Sequence, residues 1–328
     1  MNRAIIGCVA ALAAFSFAVA AGPARADATD LTPGTPIPLP GAAGKFDHMT
    51  FDSAQNRVYA SHPGNKSLAM LDIASGQAKE IALGVEVNGV AVDRKHGRFL
   101  TAGGGGKLFI LDGSALTTQK EIDLPGPGDG IFYDSADDRV YVDNDGGTNI
   151  WVYDPTAGNV VQTLTIDKAP ESSVFDRKAH ILYQNIKTAN EIQEIDTQSG
   201  KVLANWPTAP ATSPHGLVMD AKSQLLFCAG KNDTLVAIDV KTGAVTQTVT
   251  LASATDQIAV DSKLRRIYCP GSGSITVVQL DDAGKATVAQ TLTVPKTAHT
   301  ICIDPKTHTV WICYFDTDHS YFQPYTAS

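Results

Sequence analysis

Seven polar residues recur through this chain at intervals of 41, 41, 42, 44, 41 and 43 residues: Asp47, Asn88, Asp129, Glu171, His215, Asp256 and His299. Four are acids, two are imidazoles and one is an amide. Gathered around one point, such a set is suited to holding a divalent cation. Carboxylate and amide oxygens favour Ca²⁺ or Mg²⁺, whereas imidazole favours Zn²⁺ or another transition metal. The candidate metal ligands are Asp47, Asp129, Glu171, His215, Asp256 and His299. A bound cation would lower the pKa of its water, and His215 or His299 would then be the candidate general base of a hydrolase or lyase. For a small ligand the candidates are Asp47, His48, His62, Asn88 and Asn144. The competing reading is a solvated, hydrogen-bonded rim with no ligand at all. Carboxylates crowded together repel, so either some are protonated or a cation compensates them.

Other chemistry is not signalled. The chain has no Gly-x-Ser-x-Gly elbow, no Walker loop, no His-Glu-x-x-His and no paired Cys-x-x-Cys. Gly103 to Gly106 lies between two strand-like segments, so it reads as a hairpin turn and not a phosphate cradle.

Each of the seven residues opens a short apolar stretch that ends in Asp five positions later: DHMTFD, NGVAVD, DGIFYD, ESSVFD, HGLVMD, DQIAVD and HTICID. A repeat of this length holding about four strands predicts an all-β, seven-bladed propeller with four-stranded antiparallel blades. The second copy shows the plan, with strands expected at Gly89 to Val92, Arg98 to Ala102, Lys107 to Leu111 and Gln119 to Leu124. A large, mostly aromatic residue stands seven positions after each repeat Asp: Tyr59, Leu100, Tyr141, Tyr183, Phe227, Tyr268 and Trp311. Recurrence in every copy reads as blade-to-blade packing. The repeat Asp residues, and Asp72, Asp112, Asp154, Asp196 and Asp239 after the third strands, read as turn-builders. The seventh copy lacks a fourth strand. Thr32 to Pro40 precedes the first copy without a blade of its own, so it is expected to complete the last blade and close the ring. In such a ring the first strand of each blade lines a central channel, and the seven recurrent residues meet at one mouth.

Residues 1–26 read as a secretory signal: Arg3, an apolar run from Ala4 to Ala21, and the small-x-small site Ala24-Arg25-Ala26. The mature chain is then a single domain, 27–328, in the periplasm or secreted. Removing Arg3 and Arg25 leaves 24 basic against 34 acidic residues, a formal charge of 24 − 34 = −10. That excludes a nucleic-acid backbone or an anionic membrane as the main partner. No later segment is apolar enough to span a bilayer. A small molecule or an envelope protein is the expected partner of a monomer. Cys228, Cys269, Cys302 and Cys313 remain after cleavage. They read either as free buried thiols or with Cys269 and Cys313 facing each other between two blades.

The segments Phe51-Asp52…Asn56-Arg57-Val58-Tyr59-Ala60-Ser61-His62, Phe132-Tyr133-Asp134…Arg139-Val140-Tyr141-Val142 and Asn205-Trp206-Pro207…Ala211-Thr212-Ser213-Pro214-His215-Gly216-Leu217 resemble the YncE-like, YVTN-repeat seven-bladed propellers of bacterial envelopes. The resemblance implies the fold and export. It makes the acids Asp47, Asp129, Glu171 and Asp256 a family trait, whereas Asn88 stands where His is expected, and His215 and His299 replace residues that are often Ser and Arg. More distantly the pattern is similar to lactonase-like propellers that hold a divalent cation in the channel. Three functions follow as expectations: ligand, metal or partner binding at the mouth; a metal-dependent hydrolase or lyase; or a structural envelope protein.

Overall fold

A computed structural model describes Met1 and residues 30–327 of the chain. The expected signal segment, Met1 apart, and the expected start at Asp27 lie outside the described residues. Among those described, no helix is long and apolar enough to cross a membrane. The chain forms seven antiparallel sheets, one per repeat. Blade two runs Gly89–Asp93, Arg98–Gly103, Lys107–Asp112 and Thr118–Asp123, within a residue or two of the positions the sequence predicts.

Burial explains why the strands differ in composition. Second and third strands are enclosed on both faces by neighbouring blades, and several read as apolar runs, such as Leu225–Gly230. Fourth strands lie on the rim and alternate, as Val245–Thr250 does. Seven apolar clusters fill the seven gaps between blades. The recurrent large residues all lie in them; Tyr59 meets Phe99 of the next blade at 4.3 Å and Tyr141 meets Phe175 of the next blade at 5.3 Å, both as tilted ring pairs. They are packing residues.

The repeat Asp residues build turns as expected. Asp52 Oδ1 accepts from the Ala54 amide at 2.8 Å and Asp134 Oδ1 from Ala136 at 2.9 Å. Asp239 Oδ1 accepts from the Lys241 amide at 2.9 Å. Four residues after each first-strand Asp the backbone turns left-handed: Asn56, Gly97, Asp138, His180, Gln224, Arg265 and His308. Only blade two places a glycine there, the residue that adopts that conformation without steric cost.

Ring closure comes from the N-terminal segment. The last blade contributes Thr300–Asp304, Thr309–Phe315 and Ser320–Ala327. Leu31–Pro33 and Ile37–Pro38 then pair antiparallel with Ser320–Ala327, Leu31 opposite Ala327 and Ile37 opposite Phe322. A side chain adds a second seam at the channel. Gln257 of blade six donates Nε2–H to Met49 O of blade one at 3.1 Å, and its Oε1 accepts from the amides of Met49 and of Ile301 in blade seven, each at 3.1 Å.

All four described cysteines are free and buried. Cys269 faces blade five and Cys313 faces blade one, so they point away from each other. The expected opposition reverses because a side chain thirteen residues after the ring position points to the preceding blade, and the next one to the following blade.

Candidate functional site

The ring position holds a common place in each blade. Asp129, Glu171 and His215 each lie second in the strands Gly128–Asp134, Pro170–Asp176 and Pro214–Asp220; the other four precede their strands by one to three residues. Six of the seven, all but His299, line one cavity of about 440 Å³ at a channel mouth. His299 stands beside it, with Nε2 3.9 Å from Asp256 Oδ2. Sixteen residues after the ring position a second layer enters the same cavity: Pro63, Asp145, Lys187 and Lys231.

Those lysines answer the repulsion expected of the acids. Lys187 Nζ lies 2.9 Å from Glu171 Oε2, 3.8 Å from Asp129 Oδ2 and 3.7 Å from Asp145 Oδ1. Burial opposes its charge, but Glu171, Asp129 and Asp145 outweigh that and raise its pKa. Lys231 Nζ lies 2.9 Å from Asp256 Oδ1. Burial alone would push Asp256 up; Lys231, then His299 and His215, pull it down to about 2. Asp129 goes the other way. Burial first, then the Glu171 charge, push it up to about 7, against which His48 and Lys187 only partly act. Glu171 is raised by burial with Lys187 opposing. Beneath them Asp143 is fully buried, its Oδ2 accepting from Gln184 Nε2 at 3.2 Å and its Oδ1 without a partner. Burial, then Asp129 and Glu171, hold its carboxyl well above the usual range. Both answers to crowding, acids whose proton is held more tightly and a compensating cation, therefore occur in one mouth.

The two histidines are presented alike. His215 Nδ1 is 2.8 Å from Ser213 O and His299 Nδ1 3.0 Å from Thr297 O. A carbonyl only accepts, so each Nδ1 carries a hydrogen and each ring turns its Nε2 inward. His215 Nε2 is 3.8 Å from Glu171 Oε2 and 3.9 Å from Asp256 Oδ1. Burial, then the Lys231 ammonium, hold His215 below the usual imidazole range, so it is neutral at pH 7. His299 Nε2 is buried without a hydrogen-bond partner.

The small-ligand candidates separate. Asp47 and Asn88 line the mouth cavity. His48 sits in the throat below it, with Nδ1 buried and unpartnered. Burial lowers its pKa, but Asp47, Asp129, Glu171 and Asp256 outweigh that and raise it. His62 and Asn144 line neither cavity described for the channel. Both stand fifteen residues after a ring position, between the residue that packs toward the next blade and the one that enters the mouth. His62 is fully buried, stacked on Phe46 at 4.1 Å with Nδ1 2.6 Å from Glu80 Oε1. It struts blade one against Ser320 of the last blade, 3.3 Å from its Nε2. Lys187, Lys231 and Asp143 went unnoticed in the sequence, although the phase that finds the ring finds the two lysines sixteen residues on.

Asp129→Asn is expected to stabilise the protein at pH 8 by about 1–3 kcal/mol. An unfolded Asp titrates near 3.9, whereas native Asp129 titrates at about 7. Between those values the native state binds the extra proton, so wild-type stability falls as pH rises. Asn removes that fall. Urea denaturation from pH 4 to 8 checks it; parallel profiles for the two proteins would contradict the assignment.

No family model matches the sequence, and no curated protein does. Solved structures do. A chain in the crystal structure of the mitotic checkpoint complex superposes with a TM-score of 0.77 at 14% identity, covering 95% of this chain and 98% of that one. The WD40 β-propeller domain of Doa1 gives a TM-score of 0.74 at 12% identity, covering 92% of this chain and 98% of that one. At such identities the likeness is one of fold: this is a seven-bladed, WD40-like β-propeller, an architecture compatible with ligand or protein binding.

Proposed function

We propose that this propeller binds a divalent transition-metal ion at the channel mouth on Asp256, with His215 and Glu171 on one side of that carboxylate and His299 and Asp47 on the other. The observation that carries the reading is the matched pair of imidazoles, each anchored by Nδ1–H on a backbone carbonyl and each aiming Nε2 at Asp256. That is how metal-binding histidines are oriented. Ligand atoms lying within 4.8 Å of one another form two sets that share this carboxylate, Glu171–His215–Asp256 and Asp47–Asp256–His299, the two imidazoles facing its two different oxygens. Imidazole nitrogen beside carboxylate oxygen favours Ni²⁺, Cu²⁺ or Zn²⁺ over Ca²⁺ or Mg²⁺. The other half of the six-residue ligand set is less suited, because Lys187 already occupies Glu171 and Asp129. On this reading the protein is an exported metal-binding propeller, and the YVTN-repeat resemblance supports its place in a bacterial envelope. A lactonase-like hydrolase is a poorer fit: each histidine has one free nitrogen, and an ion at this site takes it, leaving neither as the base.

Thermal unfolding with each ion tests the proposal. Ni²⁺ or Zn²⁺ at a hundred times its dissociation constant is expected to add about 2.7 kcal/mol to the stability. Asp256→Asn should abolish the gain and His215→Ala with His299→Ala should do the same, whereas the turn variant Asp93→Asn should keep it. Lys231→Met should tighten binding, since the ammonium competes for Asp256. Absence of any response to Ni²⁺, Cu²⁺ and Zn²⁺ would leave only the polar rim.

A further inference from the structure

Below the throat the channel changes character. A second cavity, of about 450 Å³, runs from His48 and Gln257 toward the opposite face. Its wall includes Val92, Phe132 and Val174, residues that would not line a channel meant only for water. Gln257 forms part of its floor as a fixed bar, because both ends of its carboxamide are bonded to the backbone of blades one and seven. At the outer end stand Arg94 and Arg177, both six residues after a ring position and both lining the cavity.

The two arginines are held alike. Arg94 donates one N–H to Phe51 O at 3.3 Å, and Arg177 one to Tyr133 O at 3.2 Å, each on the preceding blade. Their nearest carboxylates are only loosely engaged, Asp52 Oδ1 at 3.8 Å and Asp134 Oδ1 at 3.5 Å. Those same oxygens already accept turn amides. A guanidinium has five donors, so most of each fork remains unspent. The side chains are 54% and 49% exposed. Lys95, on the same rim, is tied to Asp138 at 2.6 Å and adds little.

We propose that this half of the channel binds an elongated amphipathic monoanion, its carboxylate or phosphate head on Arg94 and Arg177 and its apolar body along Val92, Phe132 and Val174. A compact inorganic anion would leave the apolar wall wet. A neutral chain would leave the guanidinium donors unmet. An amphipathic cation would meet charge of its own sign. The site is separate from the metal mouth and does not depend on it.

Calorimetric titration of the full chain tests this, with decanoate as probe and decanol and acetate as comparators. Decanoate should bind one to one, with decanol and acetate each at least about tenfold weaker, the loss of one of two complementary contacts. Arg94→Gln with Arg177→Gln should weaken decanoate by about tenfold or more and leave decanol unchanged. Thr50→Trp, which fills the channel from a residue in none of the packed clusters, should block both without changing the response to Ni²⁺. Two variants with different structural risks keep the test decisive if one fails to fold. Equal binding of decanoate and decanol, decanoate binding that survives both variants, or no binding at all would overturn the proposal.

Discussion

Deleting residues 27–40 is expected to lower the melting temperature by roughly 6–12 °C. The segment closes the ring through more than backbone pairing. Leu31 and Leu39 are each 2% exposed, and they enter different inter-blade clusters, Leu31 between blades six and seven and Leu39 between blades seven and one. Burying each contributes about 1.5–3 kcal/mol. About 3–6 kcal/mol is therefore lost, at about 2 °C per kcal/mol for a chain of this size. Gly34 and Leu39 also donate their amides to Pro324 O and Ser320 O, both at 2.8 Å. The Leu31 amide reaches Gln290 Oε1 on the rim of blade six at 2.9 Å. Without the segment the strand Ser320–Ala327 becomes an open edge, so self-association is expected alongside the lower melting point. Deleting only residues 27–29 is the control. Calorimetric melting checks both; a curve unchanged by the longer deletion would mean the last blade stands without its fourth strand.

Lys187→Met is expected to destabilise the protein by about 3–5 kcal/mol at pH 8. The ammonium sits between Glu171, Asp129 and Asp145, and the first two are buried. Removing it leaves two neighbouring buried carboxylates whose native pKa values are already raised. In the variant they rise further above the unfolded values. The native state then holds protons that the unfolded state has released, and stability falls as pH climbs from about 4 through the native values. The deficit against wild type should be smallest near pH 5 and widest at pH 8. Asp129→Asn in the Lys187→Met background should recover part of it, since it removes one of the two stranded charges. A deficit independent of pH would assign Lys187 to packing instead.

The fold was readable because its requirements repeat. A turn Asp, a left-handed residue and a large packing residue recur at fixed offsets in all seven blades, each serving the same physical need. Position within the repeat also located the mouth, and six of the seven ring residues line it. What the period could not convey was which way a side chain points near the end of the second strand. His62 and Asn144 are one residue short of the layer that enters the cavity, and His62 instead spends its ring on Glu80 and Phe46. The same parity turned Cys269 and Cys313 apart. Charge compensation was hidden for another reason. Lys187 and Lys231 share an offset from the ring but lysine stands there in few of the seven repeats, so the position recurs while the charge does not, and the raised carboxyl of Asp143 is legible only once Asp129 and Glu171 are seen above it.

The closing strand also determines how the ring responds to load. Leu31 lies opposite Ala327 and Pro33 opposite Tyr325, so the chain before Leu31 and the chain after Ala327 leave the pair at the same end. Tension applied between the two ends of the protein therefore meets these rungs one after another, as in a zip, and never as a set loaded together in shear. The contacts that hold the ring against heat resist in parallel, through buried leucines and two blade gaps. Against a pull they resist singly, beginning with the outermost. The seam that makes the circle complete is thus also the point at which a mechanical force would unroll it, last blade first.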